Sequence, residues 1–78
     1  MKPKSNDIRR RKDFGDILRR YRTEMSASQE GFAEMCGLSR AYYGKVELGE
    51  HSMTIDQCFK IAEALQITVS DLFKDLPD

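Results

Sequence analysis

The 78-residue sequence has little of what catalysis, disulfide bonding or membrane insertion requires. It contains one histidine, two prolines, two cysteines and no tryptophan. Cys36 and Cys58 are too few and too far apart for a disulfide framework, and neither belongs to a C-x-x-C pair. We therefore expect reduced core cysteines, no metal, no cofactor and no small-molecule ligand. No segment approaches the roughly 20 apolar residues of a membrane span, so a cytoplasmic protein is expected.

The chain has room for one small domain only. A domain of this length buries about 60% of the surface that its unfolded chain exposes, and its core supplies no more than about 3–5 kcal/mol. A partner subunit would add to that stability, and a large substrate pocket is excluded. No enzyme activity is expected, because the sequence has no Gly-rich phosphate loop, no metal-spaced ligand cluster and no nucleophile with a nearby base.

The charges balance over the whole chain but not along it. Thirteen Lys and Arg residues offset thirteen Asp and Glu residues. Residues 1–22 hold nine basic and three acidic residues, a net charge of +6, whereas residues 23–78 carry −6. This asymmetry indicates either a segment that faces a polyanion or a solvated basic tail, and the charge pattern alone does not separate the two.

Helical periodicity begins after a basic N-terminal segment. Residues 1–11 are predicted to form a flexible arm, since Ile8 is their only large apolar residue after the initiator methionine. Residues 12–78 are predicted to form the folded domain. Its first helix is expected over residues 12–24, where apolar residues recur at helical spacing. These residues are Phe14, Ile17, Leu18 and Tyr21.

Two short helices separated by a tight turn follow. Ser28 is a good N-cap and Gly37 suits the left-handed position after a helix, so a second helix is predicted over residues 29–36. Ser39 is another N-cap type and opens a third helix that stops at Gly49. Two short helices joined by a glycine turn form a helix-turn-helix unit.

The last third of the chain contains two capping boxes. Thr54 with Gln57 has the form T-x-x-Q, and Thr68 with Asp71 forms a weaker box. The first opens a helix with an expected core stripe of Ile55, Cys58, Phe59, Ile61, Ala62 and Leu65. The second opens a short helix containing Val69, Leu72, Phe73 and Leu76 that Pro77 stops. Because no segment alternates with period two, the predicted fold class is all-α, a compact five-helix bundle.

The stretch over residues 28–49, SQEGFAEMCGLSRAYYGKVELG, resembles the helix-turn-helix of the lambda-repressor-like (Cro/CI, XRE) family of bacterial and phage DNA-binding regulators. The matching positions are Gln29, Phe32, Ala33, Gly37, Leu38, Ser39, Tyr43, Val46, Glu47 and Gly49. The segment over residues 60–73, KIAEALQITVSDLF, resembles the last two helices of the family. The resemblance implies a bacterial or phage-encoded regulator with a recognition helix at about 39–47 in the DNA major groove. In size the chain resembles small phage repressors and restriction-modification controller proteins.

The outer face of this recognition helix holds the expected base contacts. They are Arg40, Ala41, Tyr42 and Lys45, because Leu38, Tyr43 and Val46 are expected to point inward. Arg40 suits guanine O6 and N7, and Ala41 suits a thymine methyl group. Tyr42 has two interpretations. Its spacing to Val46 would put it in the core, but Tyr43 already fills the buried position, which favours the DNA side.

Phosphate contacts are expected from polar residues around the recognition helix. They are Ser28, Gln29, Ser39 and Ser52, together with Arg9, Arg10 and Arg11 of the arm. Ser28 can cap a helix at the same time, and His51 either contacts phosphate or is a solvated loop residue. The arm would follow the DNA backbone or enter an adjacent minor groove, and would add salt-sensitive affinity.

Two functions follow from these features. The first is a sequence-specific regulator of transcription that binds double-stranded DNA as a homodimer, with Phe73 and Leu76 at the dimer interface and Leu72 in the core. The alternative is a protein-interaction module, such as an antitoxin-like partner, in which the same apolar strip binds another protein and DNA binding is secondary. Binding to a selected pool of duplexes separates the two.

Overall fold

The structure, a computed structural model that describes residues 5–77, is built from helices packed around one core. The five helices in that range are α1 (Ser5–Glu24), α2 (Gln29–Met35), α3 (Arg40–Glu47), α4 (Ile55–Leu65) and α5 (Val69–Phe73). Both α1 and α2 pack on α3, and α4 packs on α5. The predicted all-α, five-helix class is thus confirmed. Within residues 5–77, no helix is long and apolar enough to span a membrane.

The first helix is longer than the apolar pattern predicts. Because α1 begins at Ser5, residues 5–11 are helical rather than a flexible arm, and the predicted boundary falls inside α1. The rest of that predicted arm, residues 1–4, lies outside the described part of the chain. Asp7 lies in the first turn of α1 and pairs with Arg10 at 3.8 Å. An acidic residue near the N-terminus and an i, i+3 ion pair both favour a helix without any apolar stripe.

Local capping starts the other four helices as predicted. The side-chain oxygen of each N-cap residue accepts a hydrogen bond from the backbone N–H three residues further on, and these caps are Ser28, Ser39, Thr54 and Thr68. Both predicted capping boxes are complete. Gly37, at φ +72°, and Gly49, at φ +82°, take left-handed conformations just beyond α2 and α3. Each of these signals is local, which is why the sequence alone located these helices.

All five helices contribute to the core. Six side chains are almost fully buried, namely Leu18, Phe32, Tyr43, Val46, Ile61 and Leu72. The rings of Phe32 and Tyr43 lie 5.2 Å apart between centroids and join α2 to α3. Cys36 and Cys58 are free, buried thiols, and burial raises the pKa of Cys36 to about 11. The predicted core positions of both cysteines are confirmed.

The core face of α4 is narrower than predicted. Cys58, Ile61 and Ala62 are buried, but Ile55 is 71% exposed and Phe59 is 50% exposed. The buried residues cluster on one side of the helix at about 100° per residue, and the two exposed residues fall on its flank. The expectation that Ile55 and Phe59 lie in the core is wrong. They form an exposed apolar pair, one helical turn apart.

The approach of α1 to α3 requires a glycine at position 15. A Cβ atom built on Gly15 would collide with the Glu47 carbonyl group and lie 2.8 Å from the carbonyl oxygen of Val46. No side chain fits in that space, so the C-terminal end of α3 rests directly on α1. This contact fixes one end of the predicted recognition helix.

Candidate nucleic-acid interface

The helix α3 has one buried face and one exposed face. Tyr43 is 0% exposed and Val46 is 1% exposed, whereas Arg40, Ala41 and Lys45 are all exposed to solvent. The outer face therefore presents two cationic side chains and a methyl group. These are the groups that contact guanine and thymine in the major groove of DNA.

Tyr42 lies at the boundary between these two faces. Its half-buried side chain packs against the core, and its hydroxyl oxygen is 2.8 Å from the Ser52 carbonyl oxygen and 2.8 Å from Oε1 of Gln57. A phenol has one proton to donate, and both of these partners are acceptors. The base contact of Tyr42 stays a prediction, but the hydroxyl proton is already used within the protein.

The predicted phosphate-contacting residues on α2 and α3 have different surroundings. The hydroxyl oxygens of Ser28 and Ser39 accept backbone hydrogen bonds, which leaves each hydroxyl proton able to be donated outward. Gln29 is tied to α3, because its Nε2 atom donates to Oε1 of Glu47 at 3.1 Å. That bond uses one of its two amide protons. Phosphate contact by these three residues stays a prediction.

The loop between α3 and α4, residues 48–54, lies beside the N-terminal half of α1. Arg10 and Arg11 line a cleft of about 160 Å³ together with His51 and Ser52. The remaining lining residues are apolar or weakly polar, namely Phe14, Met53, Cys58 and Phe73. The structure therefore brings two of the three predicted arm arginines next to the predicted loop residue Ser52. The third, Arg9, is exposed on the same helix.

A bidentate ion pair joins α1 to the end of α3. Nε and Nη2 of Arg22 donate to the two carboxylate oxygens of Glu47, each at 2.9 Å, and Nη1 donates to the Ala27 carbonyl oxygen at 3.0 Å. The side chains of Arg22 and Glu47 are only 15% and 5% exposed. Burial would raise the pKa of Glu47, but the hydrogen bonds that it accepts from Arg22 and Gln29 lower it to about 2. The carboxylate is therefore ionised at neutral pH.

The sequence analysis did not predict this ion pair. The two residues are 25 positions apart, so no local pattern connects them. One signal was available, because Glu47 lies four residues after the inward-facing Tyr43 and hence on the buried face of α3. A carboxylate at such a position needs a cation. The Tyr43 hydroxyl is also buried beside this ion pair.

Comparisons with known proteins agree with this geometry. The model of the helix-turn-helix family HTH_3 matches residues 18–72. Control protein C.MunI from Mycoplasma sp is 40% identical over 72 residues, which cover 91% of this chain and 95% of that protein. The crystal structure of the restriction-modification controller protein C.AhdI from Aeromonas hydrophila gives a TM-score of 0.76 at 40% identity, over 81% of this chain and 96% of that one. An HTH_3 family transcriptional regulator from Vibrio cholerae gives a TM-score of 0.79 at 30% identity, over 88% of this chain and 39% of that one.

The chain belongs to the HTH_3 helix-turn-helix family. It is a DNA-binding regulator of transcription, and the family is one of regulators rather than of enzymes. The resemblance found in residues 28–49 and the predicted role as a DNA-binding regulator of transcription are thereby confirmed. The exposed face of α3 is the candidate DNA-reading surface.

Proposed function

We propose that this regulator reads a specific double-stranded DNA site with the outer face of α3 in the major groove, and that it does so as a homodimer. The observation that carries the proposal is the division of α3 into an exposed face and a fixed inner face. Tyr43 anchors the middle of that inner face, and the Glu47 ion pair anchors its end. A helix held in this way presents its outer residues to base edges in a constant orientation.

Each outer residue has a chemical role in this proposal. Arg40 donates to O6 and N7 of a guanine, Ala41 contacts a thymine methyl group, and Lys45 reaches the next guanine or a phosphate. Around them, the phosphate contacts come from Ser28, Gln29, Ser39, Ser52, Arg9, Arg10 and Arg11. Since the three arginines lie on α1, they meet the DNA backbone at a fixed position, unlike a flexible arm. Because two of the relatives named above are control proteins, we propose that this chain regulates restriction-modification genes.

The base-reading role of Arg40 predicts a defined loss of specificity. Arg40→Ala should weaken binding to the preferred duplex by about 1–3 kcal/mol and relax the preference at one base position. Affinity for a randomised duplex pool, measured with sequencing of the bound fraction, checks this. Lys74→Ala is the matched control, since Lys74 is exposed beyond α5, and it should leave the preference intact. Equal binding of the native protein to every duplex would contradict sequence-specific regulation, and an equal loss on all duplexes would assign Arg40 to phosphate.

The exposed apolar pair on α4 is the best supported dimer surface. The predicted interface residues Phe73 and Leu76 are only partly exposed and pack against the core, and the Phe73 ring stacks on Phe14 at 5.4 Å between centroids. Ile55 and Phe59 expose far more apolar surface on the neighbouring helix. We take the partner to be a second copy, because one α3 offers too few base contacts for a full operator and two-fold sites need two. The interface then includes α4 together with the exposed edges of Phe73 and Leu76.

Charge placed on this surface should separate the subunits. Phe59→Glu should lower the dimer association constant by about 30-fold or more, as expected for a central aromatic contact. Sedimentation equilibrium checks this, and binding to a two-half-site duplex should fall in parallel. Met35→Glu is the control, because Met35 is a comparably exposed apolar residue on α2. A Phe59→Glu protein that stays dimeric would rule out this surface. A native protein that is monomeric, yet binds another protein through α4, would favour the interaction-module alternative.

A further inference from the structure

The Tyr42 hydroxyl connects three parts of the molecule whose relative positions determine the shape of the DNA-reading surface. Tyr42 lies on α3, and its hydroxyl oxygen is 2.8 Å from the Ser52 carbonyl oxygen in the loop 48–54. The same oxygen is 2.8 Å from Oε1 of Gln57 on α4. The same Oε1 atom accepts the backbone N–H of Thr54 at 3.0 Å, within the capping box that starts α4. One hydroxyl group thus links the recognition helix to the loop and to the N-terminus of the next helix.

The direction of these hydrogen bonds decides what Tyr42 can do. Oε1 of Gln57 accepts from the Thr54 N–H, so the Gln57 amide is oriented with its oxygen toward Tyr42. The Ser52 carbonyl can only accept, and the single phenol proton must therefore point into the protein. Burial also raises the pKa of Tyr42, so the phenol keeps this proton at neutral pH. A phosphate oxygen, which needs a donor, would have to compete with two acceptors already in place.

The loop that Tyr42 holds carries the candidate phosphate contacts. The bond to the main chain at Ser52 lies next to His51, whose ring is 6.1 Å from the Tyr42 ring between centroids. His51 and Ser52 share their cleft with Arg10 and Arg11 of α1. The position of this loop relative to α3 therefore sets the distance between the phosphate-contacting group and the base-reading residues.

We propose that Tyr42 is a positioning residue, whose hydroxyl sets the loop 48–54 against the recognition helix through the Ser52 carbonyl and Gln57. It acts on DNA binding through the loop and not through a base or phosphate of its own. This inference rests on the proposed function for its effect on DNA. The effect of Tyr42 on the loop itself does not depend on the proposed function. The inference and the proposed function can therefore be tested separately.

The test pairs two substitutions on different helices. Tyr42→Phe keeps the ring and removes the hydroxyl, and Gln57→Met removes the acceptor on α4. Each should weaken binding to the preferred duplex by about 3- to 10-fold, the loss expected for one hydrogen bond, with the base preference unchanged. The slope of log affinity against log salt should become shallower by about one phosphate contact. The double variant should bind about as well as the weaker single variant, because both changes break one linkage.

A measurement on the free protein keeps this inference distinct from the proposed function. In Tyr42→Phe, the backbone amides of residues 50–54 should shift in the NMR spectrum and lose order, while those of α2 stay unchanged. Gln57→Glu keeps an oxygen acceptor and should preserve the native loop spectrum. Gln57→Met also removes the acceptor of the Thr54 N–H, so it should shift the Thr54 amide in addition to the loop amides that shift in Tyr42→Phe. An unchanged loop in Tyr42→Phe would overturn the inference whatever the DNA result. If the loop spectra change as expected but the native protein binds all duplexes equally, only the proposed function would be contradicted.

A direct DNA contact by Tyr42 would give a different pattern. Tyr42→Phe would then weaken binding or change the preference at one base, while Gln57→Met would bind as the native protein does. If Gln57→Met does lose affinity through its own effect on α4, the two losses would multiply in the double variant instead of coinciding. Either of these results would remove the positioning role and restore Tyr42 to the base- or phosphate-contacting set.

Discussion

Replacing Gly15 with alanine should remove most of the folding stability of this protein. The added methyl group would collide with the Glu47 carbonyl group and lie 2.8 Å from the Val46 carbonyl oxygen. Both obstacles are main-chain atoms of a helix, so no side-chain rotation can relieve the clash, and α1 and α3 must move apart. The higher helix propensity of alanine gains only about 1 kcal/mol, whereas overpacking of this kind costs about 3 kcal/mol or more. That cost is comparable with everything that a core of this size supplies.

Urea unfolding followed by circular dichroism measures this effect against a matched control. Gly44 is also a helical glycine, but a Cβ atom there would be 3.6 Å from Oε1 of Gln29, an ordinary contact. Gly44→Ala should therefore keep the native stability or raise it by up to about 1 kcal/mol. A Gly15→Ala protein that unfolds at the native urea concentration would show that α1 and α3 do not touch at this point.

The parts of this fold that the sequence predicts are those determined by near neighbours. Ser28, Ser39 and the two capping boxes locate four helix starts because each cap bonds to an N–H only three residues away. The start of α1 could not be found in this way, since residues 5–11 have charges but no apolar stripe. Hydrophobic periodicity detects a helix only when one of its faces packs against the core. This part of α1 is mostly exposed, so it has no such pattern.

Among the site residues, too, those whose positions depend on near neighbours are the predictable ones. The outward positions of Arg40, Ala41 and Lys45 follow from the inward positions of Tyr43 and Val46, because one helix determines all five. The contacts that hold this helix in place are non-local and were not found. Gly15 looks like any mid-helix glycine until α3 is placed against it. Periodicity predicts Ile55 in the core because it gives the side of a helix but not how far the core extends around it.

Neutralising Glu47 should destabilise the protein and make its free energy of unfolding less dependent on pH in acid. The folded-state pKa of Glu47 lies near 2 rather than at its ordinary 4.5, so its ionised form stabilises the fold at any pH above about 4.5. This contribution disappears as the pH falls from about 4.5 toward 2. The shift corresponds to about 3 kcal/mol at neutral pH. In Glu47→Gln, the free energy of unfolding should be lower by about this amount at pH 7 and should fall less steeply with acid over that window.

The exposed pair between Asp16 and Arg19 provides the control for this loss. Its side chains are 67% and 52% exposed, so solvent screens this ion pair although its distance, 2.8 Å, is as short. Asp16→Asn should change the free energy of unfolding by no more than about 0.5 kcal/mol at pH 7. An equal loss in Asp16→Asn and Glu47→Gln would contradict the buried role of Glu47.

Removing the cation instead of the carboxylate should reverse the sign of the pH effect. In Arg22→Met, Glu47 stays buried without its main hydrogen-bond donor, and burial then raises its pKa above the value in the unfolded chain. The folded state would bind the proton more tightly than the unfolded state. This variant should therefore be least stable near pH 7. Relative to the native protein, it should gain stability as the pH falls toward about 4.5. Urea unfolding at a series of pH values measures the difference. Because Glu47 also receives the Gln29 hydrogen bond and lies against Gly15, an ionised carboxylate without its cation loosens α3 from both α1 and α2. DNA affinity of Arg22→Met should therefore recover with stability on mild acidification, and affinity that stays low while stability recovers would show that Arg22 contacts DNA itself.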